Sequence, residues 1–143
     1  MTAGGAGAGP RTAVRADDLV GTWRLERYAD VAPPGEGPLG PTPEGVLIYT
    51  RDGHVSVSMM RAPAPPGAEV AFMGYAGTWR LVGTDRVVHD VLVASHAHLP
   101  GTAQVRDVEL DGDRLTLAGV SRLGGAPRGR VLTWRRVGGG GRP

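Results

Sequence analysis

The sequence predicts an all-β protein: an antiparallel, up-and-down barrel of about eight strands. Three observations carry this. Period-two alternation of apolar and polar residues recurs along the chain, as in "YTRDGHVSVSMMRAP" (49–63), where Val55, Val57 and Met59 alternate with His54, Ser56 and Ser58. Helical periodicity is almost absent, with "RADDLV" (15–20) the one candidate helical turn and Asp17 or Asp18 its cap. Short and long connections strictly alternate. In an antiparallel meander this puts every tight turn at one end of the sheet and every long loop at the other. About eight strands is the size that closes around one small ligand. A flattened sandwich is the alternative.

In chain order the strands are expected at Val20–Val31, Gly45–Thr50, His54–Arg61, Met73–Val82, Arg86–Ala94, Thr102–Leu110, Arg114–Ser121 and Arg130–Val137. "RDG" (51–53), "GTD" (83–85) and "DGD" (111–113) are hairpin turns, with Gly and Asp where φ > 0 must be tolerated. "APPGEGPLGPTPE" (32–44), "APAPPGAEVAF" (62–72), "SHAHLPG" (95–101) and "LGGAPRG" (123–129) are the long connections that would rim the mouth. Residues 17–137 form one domain. The flanks 1–16 and 138–143, rich in Gly and Ala or Gly alone, read as disordered tails.

Composition excludes several function classes. With 143 residues the chain can bury a core, and without cysteine it has neither disulfides nor a thiolate nucleophile. All 16 basic residues are arginine, spread along the chain with a net charge of +2, so nucleic acid is not an expected partner. No apolar run reaches the roughly 18 residues of a membrane span, and "MTAGGAGAGPRTAVRADD" has no apolar segment like that of a secretory signal; a cytoplasmic protein that does not engage membranes is expected. A homodimer is left open.

Strand alternation also orients side chains, because the outside of such a barrel should be polar. Asp107 and Glu109 must face water, which turns Gln104, Arg106, Val108 and Leu110 inward. Asp90 sends Val87, His89, Val91 and Val93 inward, and Arg80 and Thr78 do the same for Tyr75, Trp79 and Leu81. For strand 54–61 the apolar-in reading, with Met59 in the pocket wall beside Tyr49, is favoured over one that lines the cup with hydroxyls. Pairing Ala94 with Gly101 would set His89 directly across from Arg106, with Trp79 on its other side. The inward faces offer Arg106 no carboxylate. Its partner is then Glu44 at the mouth, solvent in an open lumen, or a ligand carrying a carboxylate, enolate or polarised carbonyl.

His96 and His98 share a strand-like i, i+2 spacing but have no Cys or convergent acid, so no metal site is expected. There is no nucleophile elbow, and no glycine-rich loop links a strand to a helix, so no cofactor is expected. The residues fit cofactor-free chemistry or plain binding. Arg106 and Tyr75 would donate to developing negative charge and His89 would act as acid or base near neutral pH. Tyr49, Met59, Trp79, Val91, Gln104 and Trp134 would contact the substrate.

Together, "LVGTWRL" (19–25), "GPTPEGVLIYTRDGHVSVSMMR" (40–61), "YAGTW" (75–79), "VVH" (87–89), "GTAQVR" (101–106), "LDGDRLTL" (110–117) and "TWRRV" (133–137) resemble the bacterial and fungal lipocalin-like domain family. The resemblance implies a small calycin-type barrel and a setting in natural-product biosynthesis. It further implies that the chain is a cofactor-independent cyclase or isomerase acting on a hydrophobic, polyketide-derived intermediate, or else a carrier of a hydrophobic small molecule. It also implies a stack of an arginine from the last strand, Arg136, over the Gly-x-Trp tryptophan, Trp23, at the closed base. "SHAHLPG" departs from the family's Asn-Pro-x-x-Gly-Thr-like loop, so His96 and His98 gain no support from it.

Overall fold

A computed structural model describes residues 13–63, 66–67 and 71–138; most of the two expected tails lies outside the described residues. A four-residue helix, α1 (Ala16–Leu19), precedes nine strands: β1 (Gly21–Asp30), β2 (Gly35–Glu36), β3 (Glu44–Tyr49), β4 (His54–Met60), β5 (Phe72–Val82), β6 (Arg86–Ala94), β7 (Ala103–Asp111), β8 (Arg114–Ser121) and β9 (Arg128–Arg136). Arg15, not an aspartate, occupies the N-cap of α1. Asp18 reaches back to accept a 2.9 Å hydrogen bond from the Arg15 amide.

All strand pairs are antiparallel, and β1 pairs with β9 to close the sheet into an eight-strand barrel. The two-residue β2 is an addition, pairing with β1 where that strand nears the mouth (Ala29↔Glu36). The β3–β4, β5–β6 and β7–β8 connections are tight and lie at one end; the long connections lie at the other. The base is sealed by Arg136, whose guanidinium stands 4.2 Å from the Trp23 ring centroid. It donates to the carbonyls of Asp18 (2.6 Å) and Val20 (3.1 Å), and so ties α1 across the bottom of the cup. The Trp23 indole N–H donates to Leu19 O at 3.0 Å.

The alternation deduced from the chain holds for most strands. Val55, Val57 and Met59 are buried, and the hydroxyl-lined reading of β4 is excluded. Two registers differ from expectation. His89 pairs with Gln104 rather than Arg106, and Arg106 pairs with Val87. The β6–β7 ladder ends where Gly101 N–H donates to Val91 O, so the loop closes two residues earlier than the Ala94–Gly101 pairing assumed. A shift of two preserves the face, and Arg106 stays on the inner side diagonal to His89. The second difference is a bulge at Leu92: Ala76 pairs with Val93 but Gly77 with Val91. The extra residue reverses the alternation, and Val93, expected inside, is 63% exposed.

Candidate functional site

The residues expected to form one wall divide into three groups. Tyr49, Trp79 and Val91 are packed in the core, the first two near the base and Val91 toward the mouth end of β6. Tyr49 and Trp79 stack with ring centroids 4.7 Å apart, and the Trp79 indole N–H donates to Thr50 O. None of these three lines the recess or the cleft that the other site residues form. Met59, His89 and Trp134 line a recess of ≈30 Å³ deep in the barrel, together with Tyr75 and Arg106. Tyr75, Gln104 and Arg106 also line a cleft of ≈480 Å³. Met73, Tyr75 and Arg106 belong to both spaces, and so stand where cleft meets recess.

The cleft owes its place to how β7 and β8 part company. Their ladder runs from Asp111↔Arg114 to Asp107↔Ala118 and stops. Beyond it, β7 continues with β6 (Asp90↔Ala103) and β8 with β9 (Ser121↔Arg128). The space beyond is walled by Gln104–Arg106 on one side and Gly119–Ser121 on the other, and roofed by His98, Leu99 and Leu123 from the mouth loops. The Arg106 side chain lies in the gap against Gly119. It donates to the carbonyl of Val105 (2.8 Å) and to Gln104 Oε1 (3.1 Å), and Thr102 Oγ1 holds the Gln104 amide in turn. Gly119 makes room for this: a Cβ there would lie 2.7 Å from Val105 O and 2.8 Å from Arg106 Cδ.

Among the described residues, Arg106 meets no carboxylate. Glu44, one expected partner, lies by Arg24 at 4.0 Å. Several arginines of the outer face are neutralised in cross-strand pairs, such as Arg80–Asp90 (3.2 Å) and Arg135–Glu26 (2.7 Å). Arg130, buried under the β8–β9 loop, binds Asp30 at 2.7 Å and the Leu123 carbonyl at 2.7 Å, which anchors that side of the cleft. The contrast marks Arg106: a half-buried cation on the inner wall with only neutral partners.

His89 is 2% exposed and held at both ring nitrogens, Nε2 by Tyr49 Oη at 2.7 Å and Nδ1 by Tyr75 Oη at 2.5 Å. Burial pulls its pKa down to about 3, and the charge of Arg106 acts in the same direction. It is therefore a neutral imidazole at physiological pH, which corrects the expectation of a histidine titrating near neutrality. Burial likewise pushes the Tyr75 hydroxyl up to about 12, against the attraction of Arg106, and it holds the Tyr49 hydroxyl well above the usual phenol range. Both phenols keep their protons. The buried Trp134 indole N–H has no hydrogen-bond partner among the described residues.

This closed-base, loop-rimmed barrel has a counterpart in known proteins. A family model described as the lipocalin-like domain matches residues 20–137. The chain belongs to the lipocalin-like domain family. No curated protein matches it. The barrel is thus one suited to binding a small hydrophobic ligand. Among the described residues no helix is long and apolar enough to cross a membrane, and no group of three or more His, Cys, Asp or Glu could hold a metal ion.

The sequence reading missed the cleft residues His98, Leu99, Gly119, Ser121 and Leu123. One signal was present: a glycine inside a strand, as in "TLAGVS" (116–121), marks close approach of another backbone or side chain. The loop residues carried none, since their position depends on how the connections fold over the mouth.

Proposed function

We propose that this lipocalin-like domain is a cofactor-independent cyclase or isomerase. Its substrate would be a hydrophobic, polyketide-derived molecule seated in the ≈480 Å³ cleft with a carbonyl or carboxylate oxygen against Arg106 and Tyr75. The observation that supports this reading is an inner-wall guanidinium with no acidic partner among the described residues, beside a protonated phenol, at the head of a mostly apolar space. A desolvated cation without a counter-charge is costly, and an anionic or polarised oxygen offsets that cost on binding. The same two donors would stabilise an enolate, while the cleft walls hold a flexible chain in a reactive fold. His89 serves here as a neutral support for Tyr75 rather than as the acid or base, and His98, on the roof of the cleft, is the imidazole placed to exchange a proton with the substrate.

A carrier role is the second reading. It is favoured by the burial and neutrality of His89, which leave the inner end of the site without a base. Incubation with linear poly-β-keto thioesters or their shunt acids, followed by mass spectrometry and retention time, tests the proposal. Conversion to an isobaric product over many turnovers supports the enzyme. Saturation at one equivalent with unchanged substrate supports the carrier and rejects catalysis.

A further inference from the structure

The recess where Met73, Tyr75 and Arg106 separate cleft from core has a property that follows from counting protons. Tyr49 Oη has His89 Nε2 as its hydrogen-bond partner, and the residue is 1% exposed. If Nε2 carried the imidazole proton, Tyr49 would accept it, and its own O–H would be left buried and unpaired. If Tyr49 donates instead, Nε2 is the bare nitrogen, Nδ1 carries the proton, and Nδ1–H donates to Tyr75 Oη. Every group in the chain is then satisfied except the Tyr75 proton, which is free to point into the adjoining space. A guanidinium and an indole N–H can only donate. Arg106 and Trp134 line the same recess, and the Trp134 N–H is buried without a partner among the described residues.

We infer that the recess is a hole for one acceptor oxygen, built from three donors: Tyr75 O–H, Arg106 and Trp134 N–H. Tyr49 and His89 are the positioning residues that set the direction of the Tyr75 hydroxyl. This rests on the proposed ligand site and narrows its chemistry. The recess, at ≈30 Å³, admits a group the size of a single oxygen. A carbonyl or carboxylate oxygen satisfies the donors and brings no proton of its own. A hydroxyl or a water brings protons for which the surroundings offer only oxygens that already accept a hydrogen bond: Gln104 Oε1 accepts from Arg106 and Tyr75 Oη from His89, and both His89 nitrogens are engaged. The site should therefore discriminate a ketone from the alcohol of the same skeleton, which hydrophobic contact alone would not do.

Two measurements on the full chain test this. Long-range ¹H–¹⁵N correlation spectra report the imidazole tautomers, with His89 assigned by its loss in His89→Gln. The expected result is a protonated Nδ1 and an unprotonated Nε2; a protonated Nε2 would overturn the inference without recourse to any ligand. Titration with 2-acetylnaphthalene and with 1-(2-naphthyl)ethanol should show the ketone binding roughly ten-fold tighter, as one unpaired buried hydroxyl implies. The ketone should also shift the Trp134 indole N–H resonance. In Tyr49→Phe the imidazole is free to change tautomer, and the preference should fall to within about two-fold by the same reasoning, with the melting temperature recorded as a control for folding. Equal affinity of the two probes for the unaltered protein would overturn the inference. If neither probe binds, the recess does not take an acceptor oxygen and the inference is overturned, whichever tautomer His89 adopts.

Discussion

Replacing Arg106 with leucine separates a ligand-binding arginine from a structural one. In the folded protein the guanidinium makes hydrogen bonds to Val105 O and Gln104 Oε1 and has no carboxylate partner among the described residues. Losing two such bonds costs about 1–3 kcal/mol in all. Against that, a half-buried unpaired cation no longer has to be desolvated, which returns an amount of similar size. Val105 and Gln104 both border the open cleft, where water can take over the vacated acceptors. The balance should lie within about 1 kcal/mol, or about 4 °C in melting temperature for a domain of this size. Ligand affinity should respond quite differently. A charge-assisted hydrogen bond to a carboxylate or enolate oxygen contributes about 1.5–3 kcal/mol, so 2-naphthoate should bind roughly 10- to 150-fold more weakly. Calorimetric titration and thermal unfolding, run on the same preparations, give both numbers. A melting temperature lower by more than about 10 °C with affinity unchanged would refute the reasoning, because it would make Arg106 a structural brace.

Three further outcomes follow from the geometry. The pKa of His89 is lowered on folding, so the unfolded chain binds more protons between about pH 6.5 and pH 3. Stability from this group should be complete above the upper limit and decline toward the lower one, with a slope of up to about 1.4 kcal/mol per pH unit. Urea titrations at pH 7 and pH 5 should show this, and His89→Gln should flatten it; an equally steep slope in the variant would assign it elsewhere. A Cβ on Gly77 would lie 1.9 Å from Asp90 O at the β-bulge, whereas one on Gly35 meets nothing within 4 Å. Gly77→Ala should therefore cost about 3 kcal/mol or more and Gly35→Ala less than about 1 kcal/mol by denaturant unfolding, and similar losses would contradict the packing described. Arg136→Met should cost about 2–4 kcal/mol, combining the lost cation–π contact with two carbonyls left without their donor, and a neutral result would remove the base seal from the account.

Much of the architecture could be read from the chain because it rests on local signals. Gly and Asp in "RDG", "GTD" and "DGD" specify tight turns wherever they fall, and alternation of period two states which side chains share a face. The inward aim of Tyr75, His89, Gln104 and Arg106 followed from the charges on the opposite face, and it survived a register error of two residues because two residues make one full period. Val93 did not survive, since a bulge adds one residue and one residue reverses the face.

What the sequence by itself determined was the barrel, its poles and most of the inward side chains, Val93 excepted, all consequences of steric and solvation rules acting over a few neighbouring residues. Only the tertiary structure decided where empty space remains. Tyr49 and Trp79 face inward, yet they fill the base of the cup, and the room for a ligand lies at the mouth end of β7 and β8, where their ladder stops and Gly119 lets Arg106 pass. The charge state of His89 was also out of reach of local rules. It depends on two hydroxyls from strands distant in sequence and on the exclusion of water, and both exist only once the sheet has closed.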